Sequence, residues 1–213
     1  TEIYTLSLHD ALPIFQLPAG SYTAAFEDLG RDPLQRPFTV TAGRENRLDL
    51  TVTPASSIHV DIRDEQHAPL PGRVQFIGVD GTATPDLGTT YRAHGSNHHY
   101  STHDGQFLQQ VPPGEYLLRV TRGPEYSLVE KRVSLAKGQA VNVEAVLRRV
   151  VNTTGWVATD FHSHSTQSGD NYCRTEDRLI NLVAEDIEFA PTTEHNRIYD
   201  WEPTIDRMGL KPR

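Results

Sequence analysis

The sequence predicts a multidomain protein in which β-sandwich repeats precede the first strand–helix–strand unit of a truncated α/β domain. Two observations predict the sandwiches: a segment that occurs twice, and turn residues that separate short apolar runs. A third, a change of pattern after Val151, predicts the α/β unit. We assign residues 15–53 to the C-terminal part of one sandwich, 55–149 to a complete sandwich and 153–213 to the α/β fragment.

The composition limits the classes of function. The chain has 213 residues, of which 37% are hydrophobic, and a net charge of -8, which argues against a nucleic-acid partner. It contains no apolar run long enough to span a bilayer. Its single cysteine, Cys173, excludes an intrachain disulfide and a cysteine-built zinc site, and we expect it to be buried rather than nucleophilic.

Both ends of the chain are expected to be breaks in a longer protein. The segment YTLSLHDALPI, Tyr4 to Ile14, resembles the one-frame translation of a common sequencing adapter, so residues 1–14 are left out of the fold prediction. The other end stops four residues after Gly209, a plausible helix C-cap.

The internal repeat predicts β-structure. LPAGSY from Leu17 matches VPPGEY from Val111, and FTVTAGRENRLDLTV from Phe38 parallels VSLAKGQAVNVEAVL from Val133. In each longer segment a strand, a glycine turn and a second alternating strand follow one another, and alternation with a period of two is typical of a half-buried strand. The predicted second strands carry Leu48, Leu50 and Val52 in one copy and Val141 and Val143 in the other.

The motif D-G-x-F from Asp104, followed by P-P-G-E-Y ending at Tyr116, resembles the carboxypeptidase-regulatory-like or transthyretin-like β-sandwich. That resemblance implies scaffolding or binding, and core packing explains the tyrosines more simply than ligand stacking does. A loop rich in histidine is interpreted as a solvated insertion, with metal binding as the alternative. Its histidines are His94, His98, His99 and His103.

The C-terminal part reads as strand, helix, strand. Trp156 to His162 is the first predicted strand, Thr175 is the predicted N-cap of a helix with an apolar stripe, and Ile187 to Thr193 is the second strand. A crossover of this kind makes the strands parallel, so both end on the same side of the sheet. Ligands bind at that side in α/β proteins.

Metal-binding residue types gather at these two strand ends. Two histidines separated by one residue point the same way on a strand and can share an ion. Nitrogen and oxygen donors without thiolates suit Zn²⁺, Mn²⁺ or iron. The candidate ligands are His162, His164, Asp170 and His195. Asp160 and Glu194 are candidate acceptors that orient the imidazole N–H groups.

At these residues the sequence resembles the PHP (polymerase and histidinol phosphatase) superfamily of metal-dependent hydrolases, in its carbaryl-hydrolase-like branch. DFHSHSTQSGD from Asp160 is similar to the first motif of the family and TTEHNRI from Thr192 to the second. The resemblance implies a distorted β/α barrel with up to three divalent ions, one held by the two histidines of the first motif and another receiving Asp170 and His195. Glu194 stands where many members have Asp.

The resemblance therefore implies a fragment of a hydrolase, either a phosphoesterase or an ester, amide or carbamate hydrolase. Metal-activated water would attack a small-molecule substrate, with Arg197 or Arg174 as a contact for an anionic group. Because the later motifs are missing, we expect the fragment itself to be inactive. The alternative is an extracytoplasmic, periplasmic or secreted β-sandwich module that binds a glycan or a protein and carries a degenerate hydrolase remnant.

Overall fold

The computed structural model describes residues 16–210, in which all strands precede the helices along the chain. The strands are β1 Gly20–Phe26, β2 Leu34–Val40, β3 Ser57–Arg63, β4 Gly72–Val79, β5 His99–Thr102, β6 Gln106–Gln110, β7 Gly114–Thr121, β8 Val129–Leu135 and β9 Ala140–Val146. A 3₁₀ helix at Thr166–Ser168 and the α-helices α1, Thr175–Ala184, and α2, Glu202–Arg207, follow. Neither α-helix has the length and apolar sequence needed to cross a bilayer, among the residues described. The predicted adapter segment lies outside the described residues.

Two sheets form the sandwich. One has the order β6-β3-β9 and the other β5-β4-β7-β8, with a parallel pair between β3 and β9 and antiparallel pairs elsewhere. Alternate residues of each strand point inward because successive side chains leave a strand on opposite faces. The fully buried ones include Ile58, Val60, Ile62, Val74, Phe76, Leu118 and Val120. They form one apolar core, so the predicted β-sandwich is confirmed.

The first hairpin, β1 with β2, is a separate two-stranded sheet beside the sandwich. Its connecting loop reaches the larger module, where the carbonyl of Gly30 accepts a hydrogen bond of 2.7 Å from the amide of Ser56. The predicted strand from Leu48 to Val52 is wrong, because that segment pairs with no strand in the described chain. Alternation fixes which face of a strand is apolar but does not supply a partner.

Tyr116 ties the P-P-G turn to the core. Its ring is fully buried in β7 and its hydroxyl donates a hydrogen bond of 2.7 Å to the carbonyl of Pro112. We expect Tyr116→Phe to lower the free energy of unfolding by about 1 kcal/mol, because the Pro112 carbonyl, in a partly exposed turn, loses its intramolecular hydrogen bond. Urea unfolding checks this, with Tyr91→Phe as the exposed control. Equal stabilities of the two variants would contradict the role of the hydroxyl.

The predicted α/β unit is wrong. The two predicted strands meet only at isolated parallel bridges, Thr159 with Phe189 and Ser163 with Thr192, and no strand follows β9 in the described chain. The fold is mostly β-sheet with two short α-helices, rather than the start of a PHP-type β/α barrel.

Side chains near the bridges occupy the backbone groups that a sheet would need. The carboxylate of Asp160 accepts from the amide of His162 at 3.0 Å, and the hydroxyl of Thr193 accepts from the amide of Ser163 at 2.8 Å. Pro191 has no amide proton to donate. Local hydrogen bonds of this kind compete with sheet ladders, so pairing stops after single bridges.

The predicted start of the helix agrees with the structure to within one residue, whereas the predicted apolar stripe extended to Ile187, beyond the end of α1 at Ala184. Thr175 is the first residue of α1 rather than its cap, which is Arg174. The apolar stripe of α1 packs with α2 through Leu179, Leu182 and Trp201, all buried. This small second core lies against the sandwich.

Arg122 connects the two cores. The guanidinium, on the loop after β7, donates to the carbonyl of Val183 at 2.7 Å and to that of Pro71 at 3.1 Å, and pairs with Asp186. Burial raises the pKa of Asp186, and the arginine only partly offsets it. Glu185 adds an ion pair of 2.9 Å with Arg73, so the helical segment is docked through charged groups.

Candidate metal centre

Three of the four predicted ligands come together on the surface. The candidate donor atoms of His164, Asp170 and His195 all lie within 4.8 Å of one another. His195 Nε2 is 3.2 Å from an Asp170 carboxylate oxygen. Donor atoms of one tetrahedral zinc ion are separated by about 3.3 Å, because each bond is about 2.0–2.2 Å long. The Asp170–His195 pair is close to this spacing, and the donor atom of His164 lies within 4.8 Å of both.

The loop between the predicted strands brings these donors together. Gly169 ends the 3₁₀ helix with a φ of 79°, a left-handed conformation that glycine adopts without a Cβ penalty. This turn directs the next residue, Asp170, back toward His195, which enters from the loop after Thr193. Both side chains are more than half exposed, at 59% and 56%. An ion bound here would remain accessible to solvent.

Ser168 fixes the orientation of His164. Its hydroxyl donates to Glu194 Oε2 at 2.6 Å and accepts from the backbone amide of His195 at 3.0 Å. His164 Nδ1 lies 2.9 Å from the hydroxyl oxygen of Ser168. Because the carboxylate can only accept, the serine proton points toward it, and His164 Nδ1 is then the donor. His164 Nε2 is left with its lone pair free for an ion.

Glu194 is the buried anchor of this network, with 8% of its surface exposed. Besides Ser168 it accepts from the Ser165 hydroxyl at 2.6 Å and from the Ser165 amide at 3.0 and 3.1 Å. Burial opposes ionisation, but these hydrogen bonds outweigh it and hold the pKa of Glu194 below its usual value. The sequence predicts that Glu194 accepts a hydrogen bond directly from an imidazole N–H. In the structure Ser168 lies between the Glu194 carboxylate and the imidazole of His164.

His162 and Asp160 lie at the edge of the cluster. The imidazole of His162 is exposed, with its ring centroid 4.8 Å from that of His164, and it is outside the group of three donors. Asp160 accepts from the His162 amide and from the Ser163 hydroxyl at 2.7 Å. These two bonds lower the pKa of Asp160. Its contacts in the structure stabilise a turn.

The other residues singled out in the sequence lie outside the group of three donors. Arg197 is exposed, whereas Arg174 pairs with Glu176 at 3.6 Å. Burial raises the pKa of the Cys173 thiol. In the histidine-rich loop the His94 ring stacks on Tyr100 at 4.9 Å, and within residues 16–210 no cluster of three donors includes it.

Sequence reasoning missed the serines. Ser165 and Ser168 lie in the segment HSHSTQSGD and connect the buried carboxylate to the histidines. Their spacing of three residues, which allows both hydroxyls to reach one carboxylate across a single helical turn, is the signal that could have identified them.

We expect Ser168→Ala to weaken metal binding by about 10- to 100-fold, the usual effect of losing a residue that orients a ligand. The imidazole of His164 then loses the acceptor that selects its tautomer. Competition with a zinc-binding dye measures the change, and Ser134→Ala on β8 is the matched control, since its hydroxyl also bonds a glutamate. Equal affinities of the two variants would rule out the proposed role of Ser168.

No family model and no curated protein matches the chain. Among solved structures it is similar to a streptococcal ancillary pilin, at 16% identity over 62% of this chain and 46% of that one, with a TM-score of 0.38. GBS52, the minor pilin of Streptococcus agalactiae, has 19% identity over 65% and 64% and a TM-score of 0.35. BcpA, the major pilin subunit of Bacillus cereus, has 12% identity over 63% and 40% and a TM-score of 0.36.

The chain spans less than two thirds of the length of each of these pilins. The scores are too low to establish a common fold. The predicted membership of the PHP superfamily is wrong, because the chain does not form the βαβ unit with which the predicted barrel begins. Three further predictions depended on that membership and are wrong too: that the protein is an enzyme, that it is a hydrolase or phosphoesterase, and that it acts on a small-molecule substrate.

Proposed function

We propose that this chain is an extracytoplasmic β-sandwich binding module that holds a divalent metal ion on its C-terminal segment. The observation that carries the proposal is the convergence of His164, Asp170 and His195 within 4.8 Å at an exposed surface. Two imidazoles and a carboxylate suit Zn²⁺, Mn²⁺ or iron. The ion serves as an attachment point for a partner and carries out no reaction.

Three protein donors leave at least one coordination position open, as in zinc sites that exchange ligands. Because the cluster is exposed, an acidic side chain of a protein partner can reach that position. His162, whose ring lies 4.8 Å from that of His164, is a further donor beside the cluster. A partner carboxylate therefore competes with His162 for the same position.

Exposed apolar side chains on the C-terminal segment support a protein partner. Aromatic residues are enriched at protein interfaces, where they bury a large area. The exposed ones are Trp156, Phe161, Tyr172 and Phe189, with exposures of 80%, 68%, 77% and 52%. Tyr172 is two residues from Asp170, so a partner that ligates the ion would also contact the ring.

The extracytoplasmic location is part of the proposal. It is supported by the β-sandwich architecture, which many cell-surface domains share. Fractionation of the source cells tests it, and recovery of the protein in the cytosolic fraction alone would contradict it.

Calorimetric titration of the whole chain with ZnCl₂ and with MnCl₂ tests the metal site. We expect saturable binding of one ion per chain, which Asp170→Asn weakens by at least about 10-fold because the carboxylate loses its charge. Asp64→Asn is the control, since Asp64 lies on an exposed turn of the sandwich. Identical titrations of the Asp170 variant and the unmodified chain would contradict the proposal.

A further inference from the structure

A polar pocket of about 190 Å³ lies between the sandwich and α1, and none of its lining residues belongs to the metal cluster. Its walls come from the start of β4, from the loop before β5, from β5 itself and from the last turn of α1. The polar side chains that line it include Arg73, Arg92, Ser96, Ser101, Asn181 and Glu185. The volume is several times that of a water molecule.

The pocket carries one positive charge that its own residues do not cancel. Arg73 pairs with Glu185 at 2.9 Å, so these two charges offset each other. Arg92 instead donates to two neutral carbonyl groups, those of Leu87 at 3.2 Å and Gly95 at 3.3 Å. Its charge is therefore available to an anion.

His99, another lining residue, adds no charge at neutral pH. Burial, followed by the neighbouring His98, lowers the pKa of His99. Its Nε2 faces the Gln75 amide nitrogen at 3.1 Å and its Nδ1 faces the Ser96 carbonyl at 3.2 Å. One nitrogen accepts and the other donates, which is the pattern of a neutral imidazole.

The position of Arg92 depends on the absence of a side chain at Gly88. A Cβ atom there would lie 2.0 Å from an Arg92 guanidinium nitrogen. The glycine also has a φ of 137°, which side chains rarely adopt. The loop is thus built so that the guanidinium packs against bare backbone at the edge of the pocket.

Arg73 supplies a second indication of a ligand. Its Nε is buried and has no hydrogen-bond partner among the described residues. Buried donors are almost always paired in folded proteins, so this Nε is available to an acceptor placed in the cavity. The hydroxyls of Ser96 and Ser101 and the amide of Asn181 can both donate and accept, which matches the hydroxyl groups of a sugar.

We propose that this pocket binds an acidic sugar residue of a glycan, with the sugar carboxylate on Arg92. The sugar hydroxyls exchange hydrogen bonds with the serines and Asn181, and a sugar oxygen accepts from Arg73 Nε. This site is separate from the metal cluster, so the failure of one proposal leaves the other standing.

Titration of the whole chain with glucuronate, glucose and inorganic sulfate, followed by calorimetry or by NMR shifts, tests the assignment. We expect saturable binding of glucuronate that is at least about 10-fold tighter than that of glucose, because only the former carries the charge. Arg92→Gln should weaken glucuronate binding by about 10- to 100-fold. Arg132→Gln, which changes an exposed arginine on β8, should leave it unchanged.

Asn181→Asp is the second variant, because it changes the charge of the pocket with almost no change in shape. It should also weaken glucuronate binding by at least about 10-fold through repulsion of the carboxylate. Absence of saturable glucuronate binding would overturn the proposal, as would unchanged affinity in both variants. Sulfate binding as tight as that of glucuronate would overturn the assignment to a sugar.

Discussion

Replacing His164 with Ala is expected to reduce the affinity for Zn²⁺ by more than about 100-fold, beyond the 10- to 100-fold effect typical of a residue that only orients a ligand. Two donors remain in the cluster, and Ser168 then no longer has an imidazole to orient, although it still accepts from the His195 amide. Competition with a zinc-binding dye measures the change. The reduction should exceed that of Ser168→Ala, because one variant removes a ligand and the other only its support.

His98→Ala is the matched control, because His98 belongs to the histidine-rich loop of the sandwich and stacks on His99 at a ring distance of 4.1 Å. It should leave the zinc affinity unchanged. If His98→Ala and His164→Ala weakened zinc binding equally, the ion would be bound by histidines in general rather than by the cluster.

Arg122→Ala is expected to lower the free energy of unfolding by about 3–5 kcal/mol, the usual effect of removing one partner of a buried ion pair. The guanidinium side chain is only 9% exposed and bonds to Pro71, Val183 and Asp186. Its removal leaves Asp186 buried without its counter-charge. Urea unfolding followed by circular dichroism measures the loss.

Two further variants separate the ion pair from general damage. Arg132→Ala removes an exposed pair with Asp80 and should change the stability by less than about 1 kcal/mol. In the double variant Arg122→Met with Asp186→Asn no unpaired charge is buried, and asparagine tolerates the φ of 60° at this position, so the variant should recover part of the stability. A loss of less than about 1 kcal/mol in Arg122→Ala would show that the helical segment is docked by other contacts.

The sandwich could be predicted from sequence because its signals are local. Alternation in the segment from Val133 to Leu147 corresponds to β8 and β9, with the turn at Gly138. The parallel pair between β3 and β9 joins residues that are 83 positions apart, such as Ser57 and Ala140, and neither alternation nor turn residues specify such a partner.

The C-terminal segment shows where sequence patterns mislead. The two predicted strands do pair in parallel, but only at two isolated bridges, because side chains of the polar segment take the backbone hydrogen bonds. A strand pattern gives the direction of side chains, and it does not reveal whether local polar groups compete for the backbone.

Part of the candidate metal centre could be predicted because the residue types themselves carry the chemistry. Three of the four predicted ligands lie close together in the structure: His164, Asp170 and His195. For Ser168 the only signal was its spacing of three residues from Ser165, since a serine is common in loops and its role depends on the buried Glu194 beside it.

Zinc K-edge X-ray absorption of the loaded chain tests the metal centre most directly, because it reports which atoms surround the ion. We expect a first shell of nitrogen and oxygen at about 2.0–2.2 Å and the multiple-scattering pattern of two imidazoles, with one imidazole lost in His195→Ala. A shell of oxygen alone, or a spectrum that His195→Ala leaves unchanged, would contradict a metal centre at His164, Asp170 and His195.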